Sequence, residues 1–208
     1  SLDVSNNTAL NSLWCGFNQL TSLDVSQNTS LQTLYCRNNL LTSLDLSVNT
    51  SLQALYCGWN QFTSLDISAN TSLLYFQLQN NQLTSLDVSM NSGLISLFCE
   101  NNQLTSLDVS SNTALTHLKC QSNQLTSLDV RNGNNTNLIV FYAFNNPNLS
   151  CIDVDDATWS TTNWTVANGN IDSQHYFSNS CNPVAFNCTD SLEVTDVIID
   201  NANLTMNI

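Results

Sequence analysis

Apolar residues along this chain come in short alternating bursts. In Thr33-Leu34-Tyr35-Cys36-Arg37, Leu34 and Cys36 alternate with Thr33, Tyr35 and Arg37; in Ser22-Leu23-Asp24-Val25-Ser26, Leu23 and Val25 alternate with polar residues. A period of two sends successive side chains to opposite faces of a strand. The pattern therefore predicts a strand over residues 33–37 with Leu34 and Cys36 inward, and a second, shorter strand with Leu23 and Val25 inward. The stretch between them is short and rich in Asn, Thr and Ser, which leaves no room for a stable helix.

Both bursts recur in phase. A Leu-Asp pair stands at Leu2, Leu23, Leu44, Leu65, Leu86, Leu107 and Leu128, every gap being 21 residues. An eighth pair, Ile152-Asp153, is delayed by insertions around Asn132-Gly133-Asn134 and near Pro147-Asn148. A fixed period of this length signals stacked coils and overrides local propensity. Like positions then form ladders with a rise of about 4.8 Å per coil. One such ladder is Asn18, Asn39, Asn60, Asn81, Asn102, Asn123 and Asn146. Its amides are expected to bond backbone groups of their own and the next coil, which a buried turn otherwise leaves unmet.

The stretch from Leu31 to Leu41 matches L-x-x-L-x-L-x-x-N-x-L, with Cys36 at the third leucine position. Seven copies of L-x-x-L-x-C-x-x-N-x-L-T-S-L-D-V-S-x-N-T, over about residues 1–154, resemble the 21-residue repeats of bacterial surface leucine-rich-repeat proteins, in particular the internalins with a cysteine ladder. The expected architecture is a β-rich, right-handed solenoid with a parallel concave sheet, short convex strands and little or no α-helix. Residues 1–150 form the solenoid, 151–188 a C-terminal cap, and 189–208 a cap strand or linker. The chain opens in mid-pattern at Ser1-Leu2-Asp3, as expected of a monomeric domain within a larger secreted or cell-surface protein.

Charge narrows the function. The 208 residues carry 3 Lys+Arg against 16 Asp+Glu, a formal net charge of −13. Three cations cannot neutralise a row of phosphates, so nucleic acid is excluded as a partner. The longest apolar run, residues 138–144, is too short to span a bilayer. Only 9% of residues are charged while 42% are hydrophobic, which argues against acidic disorder.

The eight cysteines divide in two. Cys15, Cys36, Cys57, Cys99 and Cys120 share one ladder position, filled by Leu78 and Ala143 elsewhere. Exchange with Leu and Ala marks an inward apolar site, so these are expected to be buried free thiols. Cys151, Cys181 and Cys188 lie beyond the last regular coil. An exposed solenoid end needs a cap, and Cys151–Cys181 is the favoured staple, with Cys181–Cys188 as the rival. Either implies an oxidising compartment.

The outward positions of the first strand are the natural binding surface of a solenoid. They fall in three rows. The first is Ser12, Thr33, Ala54, Tyr75, Ser96, His117 and Val140; the second is Trp14, Tyr35, Tyr56, Gln77, Phe98, Lys119 and Tyr142; the third is Gly16, Arg37, Gly58, Gln79, Glu100, Gln121 and Phe144. Phe17 and Trp59 lie just beyond the strand ends. The framework repeats almost unchanged while these positions vary and gather aromatic rings. The candidate ligand residues are Trp14, Tyr35, Arg37, Tyr56, Trp59, Tyr75, Phe98, Glu100, His117, Lys119 and Tyr142. Aromatic anchors with a polar rim fit a protein partner; stacked rings beside amides also fit a polysaccharide; and neighbouring rings also pack on one another as cross-strand pairs.

Asp3, Asp24, Asp45, Asp66, Asp87, Asp108, Asp129 and Asp153 form an acidic ladder whose repulsion calls for hydrogen bonds from Ser hydroxyls and loop N–H groups, or for Ca²⁺. The denser group Asp153, Asp155 and Asp156 is the better calcium candidate. No metal or other cofactor is expected overall. His117 and His175, the two histidines, read as surface contacts. His117 falls on the outward face near Lys119 and Glu100, with no Ser or Cys nucleophile placed beside it with an orienting acid, so no enzyme is expected.

Overall fold

A computed structural model of the chain describes residues 2–181. The in-phase bursts become a stack of coils. Seven three-residue strands, β1 (Ser12–Trp14), β2 (Thr33–Tyr35), β3 (Ala54–Tyr56), β4 (Tyr75–Gln77), β5 (Ser96–Phe98), β7 (His117–Lys119) and β9 (Val140–Tyr142), form one parallel sheet in that order. Register is strict: Leu34 lies opposite Leu13 and Leu55, and Tyr35 opposite Trp14 and Tyr56. Cross-coil bonding runs past the strand ends, as in Cys36 N–H to Tyr56 O at 2.9 Å and Asn38 N–H to Gly58 O at 3.0 Å.

The second burst behaves differently. It pairs as a strand only towards the C-terminus, where β6 (Ser106–Asp108), β8 (Ser127–Asp129), β10 (Cys151–Asp153) and β11 (Tyr176–Ser178) make a narrow parallel sheet. In earlier coils the same Leu-Asp-Val sequence points Leu23 and Val25 inward but is not in strand conformation. Alternation is met there; what is missing is strand pairing between coils. Thr126 N–H reaches Thr105 O at 2.8 Å, and pairing begins at that end.

The interior is a column of Leu, Val, Phe and Cys running the length of the stack, with Leu31, Leu34, Phe62, Phe76 and Phe141 all but sealed from solvent. Two asparagine ladders hold the coils in phase. In the first, Asn60 Nδ2 donates to Cys57 O of its own coil (3.0 Å) and to Cys36 O of the preceding one (3.1 Å), while its Oδ1 accepts from Leu41 N–H (3.0 Å). The tie is to the preceding coil, not the next. The second ladder, Asn28, Asn49, Asn70, Asn91 and Asn112, is fully buried. Asn49 Nδ2, for example, donates to Val25 O and Asn28 O at 3.2 and 2.9 Å, while the Oδ1 atoms of all five have no partner.

Cys15, Cys36, Cys57, Cys99 and Cys120 are buried and unbridged, facing the same interior as Leu34. Burial pushes their thiols up, that of Cys120 to about 12. Because the thiolate is the reactive form, native protein at pH 8 should leave all five untouched by a disulfide reagent over hours, and denaturation should release them at once. Rapid reaction of the native protein would show that the ladder opens to solvent.

Beyond the last coil, Cys151 and Cys181 form a disulfide with their Cα atoms 5.7 Å apart. A single short helix, α1 (Ala157–Asn163), lies between them, capped by Asp156 Oδ1 accepting from Trp159 N–H at 3.0 Å. Trp164 closes the core end by stacking on Phe141 at 4.1 Å, with Trp159 and Phe177 against it at 5.5 and 5.7 Å. The Cys188 pairing and the 189–208 segment lie outside the described residues. Among the described residues no helix is long and apolar enough to cross a membrane.

The acidic ladder is met by local geometry. Each Asp from Asp3 to Asp108 takes the N–H of the serine two residues on, at 2.8–2.9 Å. Those bonds, from the serine's backbone and hydroxyl, hold Asp3, Asp24, Asp45, Asp66 and Asp87 below the usual carboxylate range. A folded-state value lowered in this way stabilises the fold above the unfolded value of about 3.9 and is lost as pH falls through the lower folded values. The urea midpoint should therefore hold steady from pH 7 to 5 and drop below about pH 4. A midpoint that rose on that acid side would contradict the assignment.

Candidate binding face

In the wide sheet the middle residue of each strand is inward, so the first and third look outward. Strand pairing aligns the two outward rows as expected: Ser12, Thr33, Ala54, Tyr75, Ser96, His117 and Val140 in one, and Trp14, Tyr35, Tyr56, Gln77, Phe98, Lys119 and Tyr142 in the other. Trp14 is 69% exposed and Tyr75 40% exposed, while Tyr35, Tyr56, Phe98, His117, Lys119 and Tyr142 are half-buried. Part of that burial is mutual. Trp14 stacks on Tyr35 with centroids 4.8 Å apart and planes 18° off parallel, and Tyr35 leans on Tyr56 at 5.7 Å.

Just past the strands each coil makes a turn through a left-handed residue. Four coils place Asn there (Asn38, Asn80, Asn101, Asn145) and one Ser122, but two use Phe17 and Trp59, at φ 55° and 53°. Asn tolerates this conformation and bulky aromatics rarely adopt it. The two rings flank Arg37: its guanidinium carbon lies 5.1 Å from the Phe17 centroid and 4.4 Å from that of Trp59, with Tyr35 at 5.9 Å. Glycine on either side of Arg37 in the third row makes room for the cluster. A Cβ on Gly16 would stand 2.6 Å from the Tyr35 ring, and one on Gly58 would stand 2.9 Å from Gln79. Phe17 was not among the sequence candidates. The signal that marks it is an aromatic residue at a turn position where most coils have Asn.

A second cation sits further along. Lys119 Nζ lies 4.5 Å over Phe98 and 5.8 Å from Tyr142. Glu100 lies in the third row, and burial pushes its carboxyl up; its Oε2, like Gln79 Oε1 and Gln121 Oε1, is buried with no partner. His117 Nδ1 is 2.8 Å from the Thr116 hydroxyl. The third cation of the chain, Arg131, is on the other side, paired with Asp129 at 2.5 Å and 3.6 Å from Asp153.

His175 is not a surface contact. Its side chain is sealed in the cap, with Nε2 3.3 Å from Asn146 O and 3.5 Å from Asp172, and Nδ1 accepting from Asp172 N–H at 3.3 Å. The calcium candidates are engaged one by one: Asp153 takes Cys181 N–H at 2.7 Å, Asp155 takes Gly133 N–H at 3.1 Å, and Asp156 caps α1. Among the described residues no three His, Cys, Asp or Glu are placed to share a metal ion.

Comparison with solved structures decides the type of repeat. The functional domain of InlJ from Listeria monocytogenes, which includes a cysteine ladder, is 34% identical over 76% of this chain and 43% of its own length, with a TM-score of 0.60. The chain carries a leucine-rich-repeat solenoid of the internalin type. The internalin InlF from Listeria monocytogenes shares the fold at 20% identity, covering 86% of this chain and 50% of InlF with a TM-score of 0.59. YopM, a leucine-rich effector protein from Yersinia pestis, does so at 24% identity over 72% and 51%, with a TM-score of 0.53. The internalin-like chain thus spans about half the length of these structures or less. No family model and no curated protein matches it.

Proposed function

We propose that this internalin-like chain is an extracellular or cell-surface binding module that holds a protein partner on the outward face of the wide sheet. The observation that carries the reading is the contrast between framework and face. Inward positions and the turn asparagine from Asn18 to Asn146 repeat coil after coil, whereas the outward rows vary along the stack, and they and the turn beside them expose large rings, Trp14 and Phe17 at 69% and 68%. Exposed rings in a contiguous patch are a liability unless a partner covers them, and aromatic side chains dominate protein interfaces. The disulfide supports a location in an oxidising compartment. The likeness to internalins supports an adhesive or interaction role over catalysis.

A pull-down with the intact domain, run beside a glycan array, tests this. Trp14→Ala and Tyr35→Ala should each reduce protein capture with little change in thermal midpoint. Lost stability with unchanged capture would show that the rings serve only to pack on one another. Saturable glycan binding in place of protein capture would assign the face to a polysaccharide.

A further inference from the structure

We infer that the Phe17–Arg37–Trp59 cluster is a receptor site for a single carboxylate, carried on an aspartate or glutamate of the protein partner; this rests on the binding-face reading above. Three observations meet at Arg37. First, no acid is paired with it among the described residues. The chain holds sixteen Asp+Glu, yet among the described residues none makes an ion pair with Arg37, whereas Arg131 is paired with one and close to a second. Its Nε is buried without a partner, and neither Nη atom has an acceptor among the described residues.

Second, the guanidinium carbon lies over aromatic rings of the two neighbouring coils. Phe17 comes from the coil before and Trp59 from the coil after, at 5.1 and 4.4 Å. Rings from the coils before and after leave the remaining directions around the guanidinium for an acceptor. Edge-on approach in the guanidinium plane is how a carboxylate makes two parallel charge-assisted hydrogen bonds. Third, both rings occupy left-handed positions that sister coils fill with Asn or Ser. Strain of this kind persists where a functional geometry needs it, and here two strained residues converge on the same cation.

The ring geometry also separates the two ligand classes. Sugar rings stack on open aromatic faces, but Phe17 and Trp59 each have a face turned to Arg37, and Tyr35 has one turned to Trp14. The edges and outer faces left over suit apolar side chains on either side of the acidic residue.

The chain has two arginines, so the Nε–H resonance of Arg37 can be followed by NMR with that of Arg131 as internal control. The probe is a capped peptide with one glutamate between two leucines, compared with its glutamine counterpart and with an oligogalacturonate. The glutamate peptide should shift the Arg37 resonance saturably and leave Arg131 unmoved, and the glutamine peptide should bind at least tenfold more weakly. Arg37→Gln should abolish the preference for glutamate, and Arg37→Lys should not restore it. Trp59→Asn, which places there the residue four sister coils use, should fold normally and weaken glutamate-peptide binding several-fold. Equal affinity for the two peptides, no binding of either, or tighter binding of the oligogalacturonate would each overturn the assignment. If Tyr35→Ala abolishes capture of the protein partner while Arg37→Gln leaves it intact, the face binds and the carboxylate site fails. If neither variant changes capture, the face reading fails with it.

Discussion

Asn60→Ala is expected to destabilise the fold by about 3–5 kcal/mol, as the sum of two or three buried groups left unpaired. Asn60 Nδ2 serves carbonyls in two coils and its Oδ1 takes the N–H of Leu41. Alanine removes these bonds, and a longer one to Gly58 O at 3.4 Å, at a buried site. The effect should grade along the ladder. Asn18, in the first coil, is exposed and its side chain bonds only within its own coil, to Cys15 O and Gly16 O; there alanine should cost no more than about 1 kcal/mol. Urea unfolding followed by circular dichroism measures both. Equal costs at the two positions would mean that the ladder acts through turn conformation alone and does not tie coils together. Because each coil of a solenoid is stabilised by its neighbours, a shallower transition for Asn60→Ala would show that the array has split at that point.

Phe62→Ala is expected to cost about 3–5 kcal/mol, as lost transfer energy plus the cavity left behind. Phe62 is sealed in the core at the position where Leu41, Leu83, Leu104 and Leu125 stand in other coils. That equivalence supplies the control: Phe62→Leu places the sister residue in the same ladder and should cost under about 1.5 kcal/mol. If leucine proved as damaging as alanine, Phe62 would be filling a local shape that the repeat does not share. Thermal unfolding of the three proteins side by side decides it.

The phase of the repeat was legible because every 21-residue unit offers the same evidence again. One alternating burst is ambiguous; seven in register fix which way Leu34, Cys36 and Tyr35 face, and strand pairing bears this out. Exchange of Cys with Leu78 and Ala143 was enough to place the thiols inside. What the pattern could not supply was pairing between coils. Ser22-Leu23-Asp24-Val25 and Ser106-Leu107-Asp108-Val109 read alike, yet only the second pairs as a strand. The buried asparagines from Asn28 to Asn112 carry no mark of burial in the sequence, because their partners are backbone carbonyls, which no side-chain pattern reports. His175 was misplaced for a related reason: the cap that buries it is irregular, and no repeat records its contacts. At the candidate face the rows were readable, but the clamp on Arg37 joins residues from three coils through a turn conformation that sequence spacing does not reveal.

Strict register also sets how such a surface can change. Duplicating or deleting one whole unit would move everything beyond it by a single step of about 4.8 Å and leave every side chain facing as before. The separation between the Arg37 and Lys119 clamps, four units apart, is therefore adjustable only in whole steps. A molecule built this way carries its own ruler, and unequal recombination between near-identical units can lengthen or shorten the grip without redesigning any part of it.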